Sequence, residues 1–362
     1  MHLLNHSISN FRNIEAIRFI PDRGVNVVFG QNGQGKTNLL ESIFLLTGAK
    51  SFRTKKDVDF IRQGEEKCLI ESKFFLNSRD QHIRMIISSK GRIAEKNRGG
   101  EKRASSLAGI FCCVLFSAES LLLVKGGPQQ RRSFIDFALC QISPKYLIEI
   151  KNYSRVLSQK NSLLRDVYRI PGVYDMLDVY DRQLAETARV ITKMRKSFCE
   201  NLLSLAEHDY LAISGNREQI NLTYSSTIWE DDKISFEQGI DKITRLRDTD
   251  VRAGFSTAGP HRDDLLITID GNDARGFASQ GQQRSIVLAL KLAEASLMER
   301  SLGEKPLLLL DDVLSELDGN RQDFLLERLT DCQTVITGCD PLLVSKRIDA
   351  SVFEMREGRL LS

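Results

Sequence analysis

The sequence has few of the features that mark a secreted or membrane-embedded protein. No apolar run approaches the roughly 20 residues that a membrane-spanning helix needs, and no basic-then-apolar pattern opens the chain. The seven cysteines are an odd number and include no C-x-x-C pair, which argues against a disulfide framework and against a cysteine metal site. We therefore expect reduced thiols and a cytoplasmic location.

A strong charge bias is also absent. The chain has 51 Lys and Arg against 48 Asp and Glu, a net charge of +3. Such a balance does not by itself predict a nucleic-acid partner, so any basic surface must be local. The 362 residues, 41% of them hydrophobic, are enough for a sizeable core in one large domain or two.

The stretch that stands out is a glycine-rich loop near the N-terminus. It reads G-x-x-x-x-G-K-T, follows the apolar run Val25–Phe29 and precedes a helical pattern that ends near Gly48. In that context, backbone N–H groups and a helix N-terminus surround a phosphate. Lys36 is expected to reach the β- and γ-phosphates of ATP, and the Thr37 hydroxyl to hold Mg²⁺. The predicted nucleotide-binding residues are Gly30, Gln31, Asn32, Gly33, Gln34, Gly35, Lys36 and Thr37.

An acidic pair follows a run of leucines late in the chain. Leu307–Leu310 fits a strand buried on both faces of a sheet, and Asp311 and Asp312 come directly after it. In a P-loop enzyme, a carboxylate at such a strand end is a ligand of the Mg²⁺ site. We therefore expect Asp311 to serve the metal and Asp312 to orient or deprotonate the attacking water.

A second phosphate-binding motif opens a later helix. The sequence S-Q-G-Q-Q offers a hydroxyl, backbone N–H groups and a positive helix end, with Ser279, Gly281 and Gln282 as the candidate contacts. One subunit has one γ-phosphate to hold, so this motif is expected to face the ATP of another subunit. Ser315–Asp318 is expected at the same junction.

The order of patterns indicates a split domain. We predict an α/β ATPase head formed by residues 1–116 and 256–362, with a mainly helical arm domain inserted at 117–255. Between Leu184 and Leu205, apolar residues recur at heptad spacing with one interruption at Arg195, which is compatible with an amphipathic helix or with a short coiled coil. Lys90–Arg103 is expected to be a basic loop.

Several basic residues are candidates for contacts with phosphates. Arg12, in the turn between two N-terminal strands, either touches the nucleotide or lies in solvent. A basic run with one aromatic residue follows the P-loop helix, and such a run either contacts DNA or is a solvated loop. The DNA-binding candidates are Arg53, Lys55, Lys56 and Arg131.

The motifs in this order resemble the ATP-binding-cassette (ABC-type) heads of SMC-like DNA-repair ATPases. More specifically, the chain is similar to the bacterial RecF family over residues 3 to about 340. The residues that carry this resemblance are Asn10–Asn13, Gly126–Pro128 with Arg131 and Arg132, Gly259–Asp264 and Ser279–Arg284. An insertion of about 140 residues excludes the long arms of SMC proteins.

The resemblance implies an ABC-type P-loop head with a mixed sheet and flanking helices, and an ATP-dependent homodimer that binds DNA. Members of this family recognise junctions of single- and double-stranded DNA at gaps. With RecR and RecO they help RecA to replace the single-strand-binding protein, which supports replication restart and SOS induction. By this match, Ser279, Gly281 and Gln282 contact the ATP of the partner subunit.

Two departures from ABC-type ATPases predict slow hydrolysis. The residue after the metal Asp is often Glu, whereas Asp312 is one methylene shorter. No histidine lies beyond Asp312, and Thr337-Gly338 occupies the region where a catalytic His is common. We therefore expect a weak, DNA-stimulated ATPase in which ATP mainly holds the dimer together.

Three other functions remain open from the residues alone. The first is the ATPase subunit of an ABC-type transporter, which shares the P-loop and the acidic strand end. The second is a DNA clamp that binds ATP without cleaving it, against which the acidic pair argues. The third is a nuclease, which lacks an evident second metal site in the sequence.

Overall fold

The computed structural model describes residues 1–54, 56–97, 99–231 and 233–361. Its chain contacts define two compact units. Unit 1 comprises Met1–Leu121, His208–Arg217 and Gln280–Ser362, and unit 2 comprises Leu122–Glu207 and Glu218–Ser279.

The strands, in chain order, are β1 His2–Phe11, β2 Ile14–Phe19, β3 Val25–Phe29, β4 Lys67–Leu76, β5 Arg79–Ser88, β6 Gly91–Lys96, β7 Glu101–Arg103, β8 Cys113–Ser117, β9 Ile220–Ser225, β10 Asp264–Ile269, β11 Asn272–Asp273, β12 Leu307–Asp311, β13 Thr334–Gly338, β14 Ala350–Arg356 and β15 Arg359–Leu361. The α-helices are α1 Lys36–Phe44, α2 Leu122–Lys125, α3 Pro128–Ile142, α4 Pro144–Arg165, α5 Val173–Ser214, α6 Phe236–Arg245, α7 Arg247–Ala253, α8 Ala274–Phe277, α9 Gln280–Leu302, α10 Gly319–Leu329 and α11 Leu342–Ser345.

A mainly parallel sheet forms the centre of unit 1. Its strand order is β15-β14-β3-β13-β12-β8, and only β15 is antiparallel to its neighbour. The apolar runs of β8, β12 and β13 are buried, including Leu307–Leu310, as expected for strands covered on both faces. Helix α9 is buried continuously from Ser285 to Ala295, which explains why its sequence is apolar on every side.

An antiparallel sheet completes unit 1, with the order β2-β1-β4-β5-β6-β7. Asn77 and Ser78 have φ values of 50° and 59°, the left-handed conformation that a two-residue hairpin turn requires. The expected basic loop over Lys90–Arg103 is wrong, because β6 and β7 lie in this stretch and extend the sheet. Only Ala94 of β6 is buried, so the strand shows no alternation of buried apolar residues that the sequence could have revealed.

Unit 2 contains most of the predicted helical insertion. The heptad positions of α5 from Leu184 to Leu202 are buried, Leu205 is half-buried, and Phe198 meets Phe134 of α3 with ring centroids 6.3 Å apart. The part of α5 that belongs to unit 2 therefore packs there as an amphipathic helix.

The boundaries of the units differ from the predicted ones at 116/117 and 255/256. The cause is a small sheet in the order β11-β10-β9, in which β10 pairs antiparallel with β9 from Asp264↔Ser225 to Ile269↔Ile220. This pairing places Glu218–Ser279 in unit 2. A strand pairing between segments 40 residues apart leaves no local signal at either end.

Candidate nucleotide site

The glycine loop connects β3 to α1 in a conformation that requires glycine. Gly33 and Gly35 have φ values of 80° and 111°, which lie in the region that side-chain-bearing residues rarely adopt. Gly30 is required for a different reason, because a Cβ atom there would collide with the carbonyl oxygen of Met355 in β14. The loop therefore keeps a fixed curvature.

The hairpin of β14 and β15 supports this loop from one side. The Gly358 N–H donates to the carbonyl of Gln34 at 3.0 Å, and the Glu357 N–H donates to the Gln34 side chain. Gly358 also passes so close to the Asn13 carbonyl that a Cβ would lie 2.7 Å from its oxygen. The loop shape thus depends on residues more than 300 positions away.

Lys36 is buried within the loop that it is expected to serve. Its Nζ donates to the carbonyls of Gly30 at 2.6 Å and of Gln31 at 2.9 Å, and the residue is only 7% exposed. An ammonium held by two carbonyls is already placed at the centre of the loop, and phosphate oxygens are stronger acceptors for it.

A pair of oxygen ligands lies next to Lys36, at the carboxyl ends of the central strands. The Thr37 hydroxyl donates to Asp311 Oδ1 at 2.8 Å, although 274 positions separate the two residues. A hydroxyl and a carboxylate are hard oxygen donors of the kind that Mg²⁺ takes beside triphosphates. These residues fit a nucleotide-bound Mg²⁺, and the fold brings them together as the sequence predicted.

Thr337 is a third member of this group that the sequence motifs did not identify as a ligand-site residue. It lies opposite Asp311 in the β12–β13 register, and its hydroxyl donates to Asp311 Oδ1 at 2.9 Å. The register explains its position, because parallel neighbours end at the same sheet edge. A threonine therefore contacts the predicted metal residue at a point where ABC-type enzymes often have histidine.

Asp312 is exposed at this edge and has a left-handed φ of 55°, which Asp tolerates better than most residues. Its N–H donates to the carbonyl of Thr337 at 3.2 Å, and its carbonyl accepts from the Ser315 hydroxyl at 2.7 Å. These bonds fix the backbone turn after β12 and keep the Asp312 carboxylate accessible beside Asp311.

Glu41 is the second residue that the sequence motifs did not reveal. It is fully buried on α1, and its carboxylate accepts from Arg12 Nη2 at 2.9 Å and from the Ser51 hydroxyl. Arg53 approaches the same carboxylate at 3.5 Å. The solvated-turn alternative for Arg12 is wrong, because its guanidinium pairs with Glu41 and lies 5.4 Å from the Phe60 ring centre. A contact of Arg12 with the nucleotide stays a prediction.

Glu119 adds a further carboxyl group near the site. It follows β8, the strand next to β12, and no motif marked it. Burial raises the pKa of Glu119, Arg53 lowers it, and Asp311 and Glu41 raise it further. Negative charges thus accumulate at this sheet edge, which is the electrostatic setting that a divalent cation relieves.

The second phosphate motif lies directly before and within the first turn of α9. A Cβ on Gly281 would be 3.3 Å from Nη2 of Arg321, and Arg321 Nε donates to the Ser285 hydroxyl at 2.9 Å. Arg321 also pairs with Asp318, whose pKa is lowered chiefly by the hydrogen bond from the Arg321 N–H. The Ser315–Asp318 segment therefore lies beside this helix start.

The four DNA candidates have different environments. Arg53 donates to Asn38 at 2.7 Å and remains 38% exposed at its side chain, Lys56 is exposed, and Lys55 lies outside the described residues. Arg131 is withdrawn as a DNA candidate: it is 6% exposed and forms a two-bond ion pair with Asp264, both bonds being 2.8 Å. A buried guanidinium in such a pair is a structural group.

The described residues contain neither a membrane-spanning helix nor a clustered metal site. In the described ranges, no helix has the length and apolar character needed to cross a membrane. The same residues contain no cluster of three or more His, Cys, Asp or Glu side chains able to hold a metal.

Comparison with known sequences identifies the family. The family model described as RecF/RecN/SMC N terminal domain matches residues 2–352. The protein named DNA replication and repair protein RecF from Agathobacter rectalis is 41% identical over 356 residues, which cover 98% of this chain and 97% of that protein. The protein of the same name from Bacillus subtilis is 35% identical over 369 residues and is matched over the full length of both chains.

Solved structures agree with this assignment. A structure of the recombination mediator protein RecF-ATPrS in the RecFOR pathway is 31% identical and has a TM-score of 0.91, covering 99% of this chain and 97% of the other. An SMC head bound to the C-terminal winged-helix domain of ScpA, at 14% identity and a TM-score of 0.59, shares the fold alone. The fold is that of an ABC-type ATPase head, and the chain belongs to the RecF family of DNA replication and repair proteins.

Proposed function

We propose that this chain binds ATP and Mg²⁺ at the glycine loop and uses them to control DNA binding in recombinational repair. The observation that carries this proposal is the bond between Thr37 and Asp311 at the end of a shaped P-loop. The RecF relative solved as RecF-ATPrS supports ATP as the nucleotide. We do not propose the transporter alternative, since the relatives reported above are DNA repair proteins.

Each site residue has a distinct role in this proposal. Lys36 leaves the carbonyls of Gly30 and Gln31 and binds the β- and γ-phosphate oxygens. Thr37 and Asp311 hold Mg²⁺, which neutralises charge that develops on the phosphates. Asp312 accepts a proton from the attacking water, and its short side chain together with the threonine at position 337 makes this step slow.

The resulting activity is a weak ATPase that DNA stimulates. Asp312 is exposed in the single chain, so water competes for its carboxylate until another surface covers the site. We propose that two copies of the chain provide this cover, with Ser279, Gly281 and Gln282 of each copy binding the γ-phosphate held by the other. ATP then acts mainly to hold the dimer together.

The DNA partner is a junction of single- and double-stranded DNA at a gap. Arg53, Lys56 and, outside the described residues, Lys55 are the proposed phosphate contacts. RecR is the direct protein partner, and RecO and RecA act with it, so that RecA is loaded for gap repair, replication restart and SOS induction. The name RecFOR pathway, used for a relative of this chain, supports this set of partners. These roles place the chain in the bacterial cytoplasm with its DNA.

Sedimentation with and without ATP and Mg²⁺ tests the dimer. Lys36→Ala is expected to remove ATP binding, because the β- and γ-phosphates lose the ammonium group that binds them. The ATP-dependent dimer should be lost with it. Ser279→Arg is expected to keep ATP bound to the monomer and to block association. Arg300→Ala, on the last turn of α9, the helix that Ser279 precedes, serves as the control and should dimerise normally.

Two outcomes would contradict the proposal. If Ser279→Arg still formed an ATP-dependent dimer, the proposed contact of Ser279 with the ATP of the partner subunit would be ruled out. The proposed nucleotide binding at the glycine loop would stand. Turnover of tens of ATP per second without DNA would show that hydrolysis is not slow.

A further inference from the structure

A cleft in unit 2 brings together two RecF-like motifs that the ATP site does not use. It has a volume of about 530 Å³ and lies between the start of α3, the middle of α4 and the turn before β10. Arg132, from the segment after Gly126–Pro128, and His261, from Gly259–Asp264, both line it. We call it the α3–α4 cleft; its lining residues include Arg132, Tyr153, Leu157, Asn161, Arg165 and His261.

The carboxylates around this cleft are already engaged. Asp264 accepts two hydrogen bonds from Arg131. Asp136 accepts from Tyr146 at 2.5 Å and pairs with Arg195 at 2.7 Å. Each of these carboxylates is therefore already paired with an arginine, and neither is a free partner for another cation.

Asp263 is engaged as well. It is fully buried and accepts from the Tyr224 hydroxyl at 2.8 Å and from the Thr227 N–H at 2.7 Å. The buried Arg195 is saturated in the same way, since its guanidinium also donates to Tyr224 and to the Pro260 carbonyl. Arg195 and Asp136 both line the cleft, and they form a paired network in its wall.

The guanidinium of Arg132 has fewer hydrogen-bond partners in the described chain than it has N–H donors. In the chain as described, its guanidinium makes one hydrogen bond, from Nη1 to the Asp263 carbonyl at 2.7 Å, and no ion pair. A guanidinium has five N–H donors in a planar fork. Burial, and then the nearby Arg195, lower the pKa of Arg132, whereas Asp264, Asp136 and Asp263 raise it. An anion in the cleft would offset the effects of burial and of Arg195.

Arg165 supplies a second cation at the end of α4. It is exposed and, among the described groups, has neither a hydrogen bond nor an ion pair. Between the two arginines, Asn161 and Ser158 provide polar side chains, and Ile150 and Leu157 provide an apolar wall. Two cations that share no carboxylate, beside an apolar surface, match a ligand with a phosphate at one end and a flat ring system at the other.

We propose that the α3–α4 cleft binds a phosphate group carried on a nucleoside, with Arg132 binding the phosphate and Arg165 providing a second positive charge in the same cleft. The phosphate comes either from the 5′ end of a DNA strand or from a free mononucleotide. The first source rests on the proposed function in DNA repair, because it makes the cleft a receptor for a strand end. The site is separate from the glycine loop, whose residues all belong to unit 1.

Fluorescence anisotropy on the full chain tests the proposal, with the glycine loop filled by a non-hydrolysable ATP analogue and Mg²⁺. The probes are 5′-phosphorylated and 5′-hydroxyl (dT)10, with dTMP as a competitor. We expect the phosphorylated strand to bind at least five-fold more tightly at about 0.15 M salt, where charges more than about 8 Å apart are screened. Arg132→Gln and Arg165→Glu should abolish that difference.

Arg155→Glu is the matched control. It changes the same charge on the same helix, and Arg155 is exposed and does not line the cleft. Arg132→Gln changes a half-buried residue and could disturb folding. Arg165→Glu changes an exposed residue, so its effect on binding does not come from a folding defect. Displacement of the phosphorylated strand by dTMP at equal concentration would identify a mononucleotide as the source, and much weaker displacement would identify a strand end; both support the site.

Equal binding of the two strands, together with no binding of dTMP, would overturn the proposal, as would an equal effect of Arg155→Glu and Arg165→Glu. ATP-dependent binding of a gapped duplex with 5′-hydroxyl ends is measured in parallel. If that binding persists while the phosphate preference is absent, the cleft proposal fails and the proposed function stands.

Discussion

The polar groups of unit 1 that bear on function stand at the open edge of a parallel sheet, whereas a second polar network, in unit 2, lies inside the protein around Arg195. At the sheet edge, Asp311, Asp312 and Glu119 bring negative charges together and few positive ones. Around Arg195, each charge already has a partner of opposite sign, as Asp136 does. The sheet edge is incomplete without a ligand, whereas the ion pair of Arg195 and Asp136 is complete in the folded chain. Carboxylates therefore serve ligand binding at the sheet edge and stability in the network around Arg195.

Arg195→Met is expected to have the largest effect on stability. The change leaves Asp136 without its cation and removes donors from the Tyr146 and Tyr224 hydroxyls and the Pro260 carbonyl. Breaking a buried pair in this way costs about 3–5 kcal/mol, measured as the shift of the urea midpoint by circular dichroism. Arg189→Met on the exposed face of α5 is the control and should change stability by about 0.5 kcal/mol or less. A small effect of Arg195→Met would show that the interior of unit 2 does not depend on its charges.

Asp311→Asn is expected to act in the opposite way. It removes one of several like charges at the sheet edge, so stability should stay within about 1 kcal/mol. Phosphate release should fall by about 100-fold, since the metal loses its charged ligand. Asp80→Asn, at an exposed position on β5, controls for the loss of one charge. A large loss of stability in Asp311→Asn would mean that this edge is complete without a ligand.

Unit 1 also contains a buried polar side chain, His6, which is neutral where Arg195 of unit 2 is charged. His6 therefore extends the comparison of the two units. His6 is fully buried between Ser42 and Ser72, each 2.7 Å from a ring nitrogen. The Ser42 hydroxyl donates to the Leu39 carbonyl, so it accepts from Nε2–H, and Nδ1 accepts from Ser72. Burial lowers the pKa of His6 to about 3.

The unfolded chain binds a proton at His6 below about pH 6.5, while the folded chain does not until about pH 3. The stabilising contribution is therefore complete above pH 6.5 and declines as the pH falls toward 3. Between pH 7.5 and pH 5 the loss is about 2 kcal/mol. His6→Gln should be less stable at neutral pH and should lack this part of the decline, as measured by urea midpoints at both values. An equal decline in both proteins would assign the pH dependence to other groups.

Much of the ATP site could be predicted because its residues lie in contiguous motifs at strand ends. The loop at 30–37 and the acidic pair at 311–312 can each be recognised from a short contiguous stretch of sequence. Their meeting follows from the rule that parallel strands share an edge. Thr337 and Glu119 were missed because they reach the same edge through strand order alone, and strand order was not visible in the sequence.

The basic residues were harder to assign because a sequence does not show which carboxylate an arginine meets. Arg12 and Arg131 were both expected at ligand-facing positions, yet Glu41 and Asp264 hold them. Asp264 is 133 positions from Arg131, so no local pattern reports this pair. For Arg195 the sequence showed only an interruption of the heptad spacing, whereas the structure shows that it is the centre of a buried hydrogen-bond network.

The contact between the glycine loop and the hairpin of β14 and β15 has a consequence for protein synthesis. Ribosomes make residues 30–37 early, but the carbonyl of Met355 and the N–H of Gly358 that shape the loop emerge more than 300 residues later. The loop therefore acquires its folded shape only after position 358 has been made, and we expect nucleotide binding to appear only then. A fusion inserted between β14 and β15 is expected to weaken nucleotide binding at the glycine loop near the other end of the polypeptide.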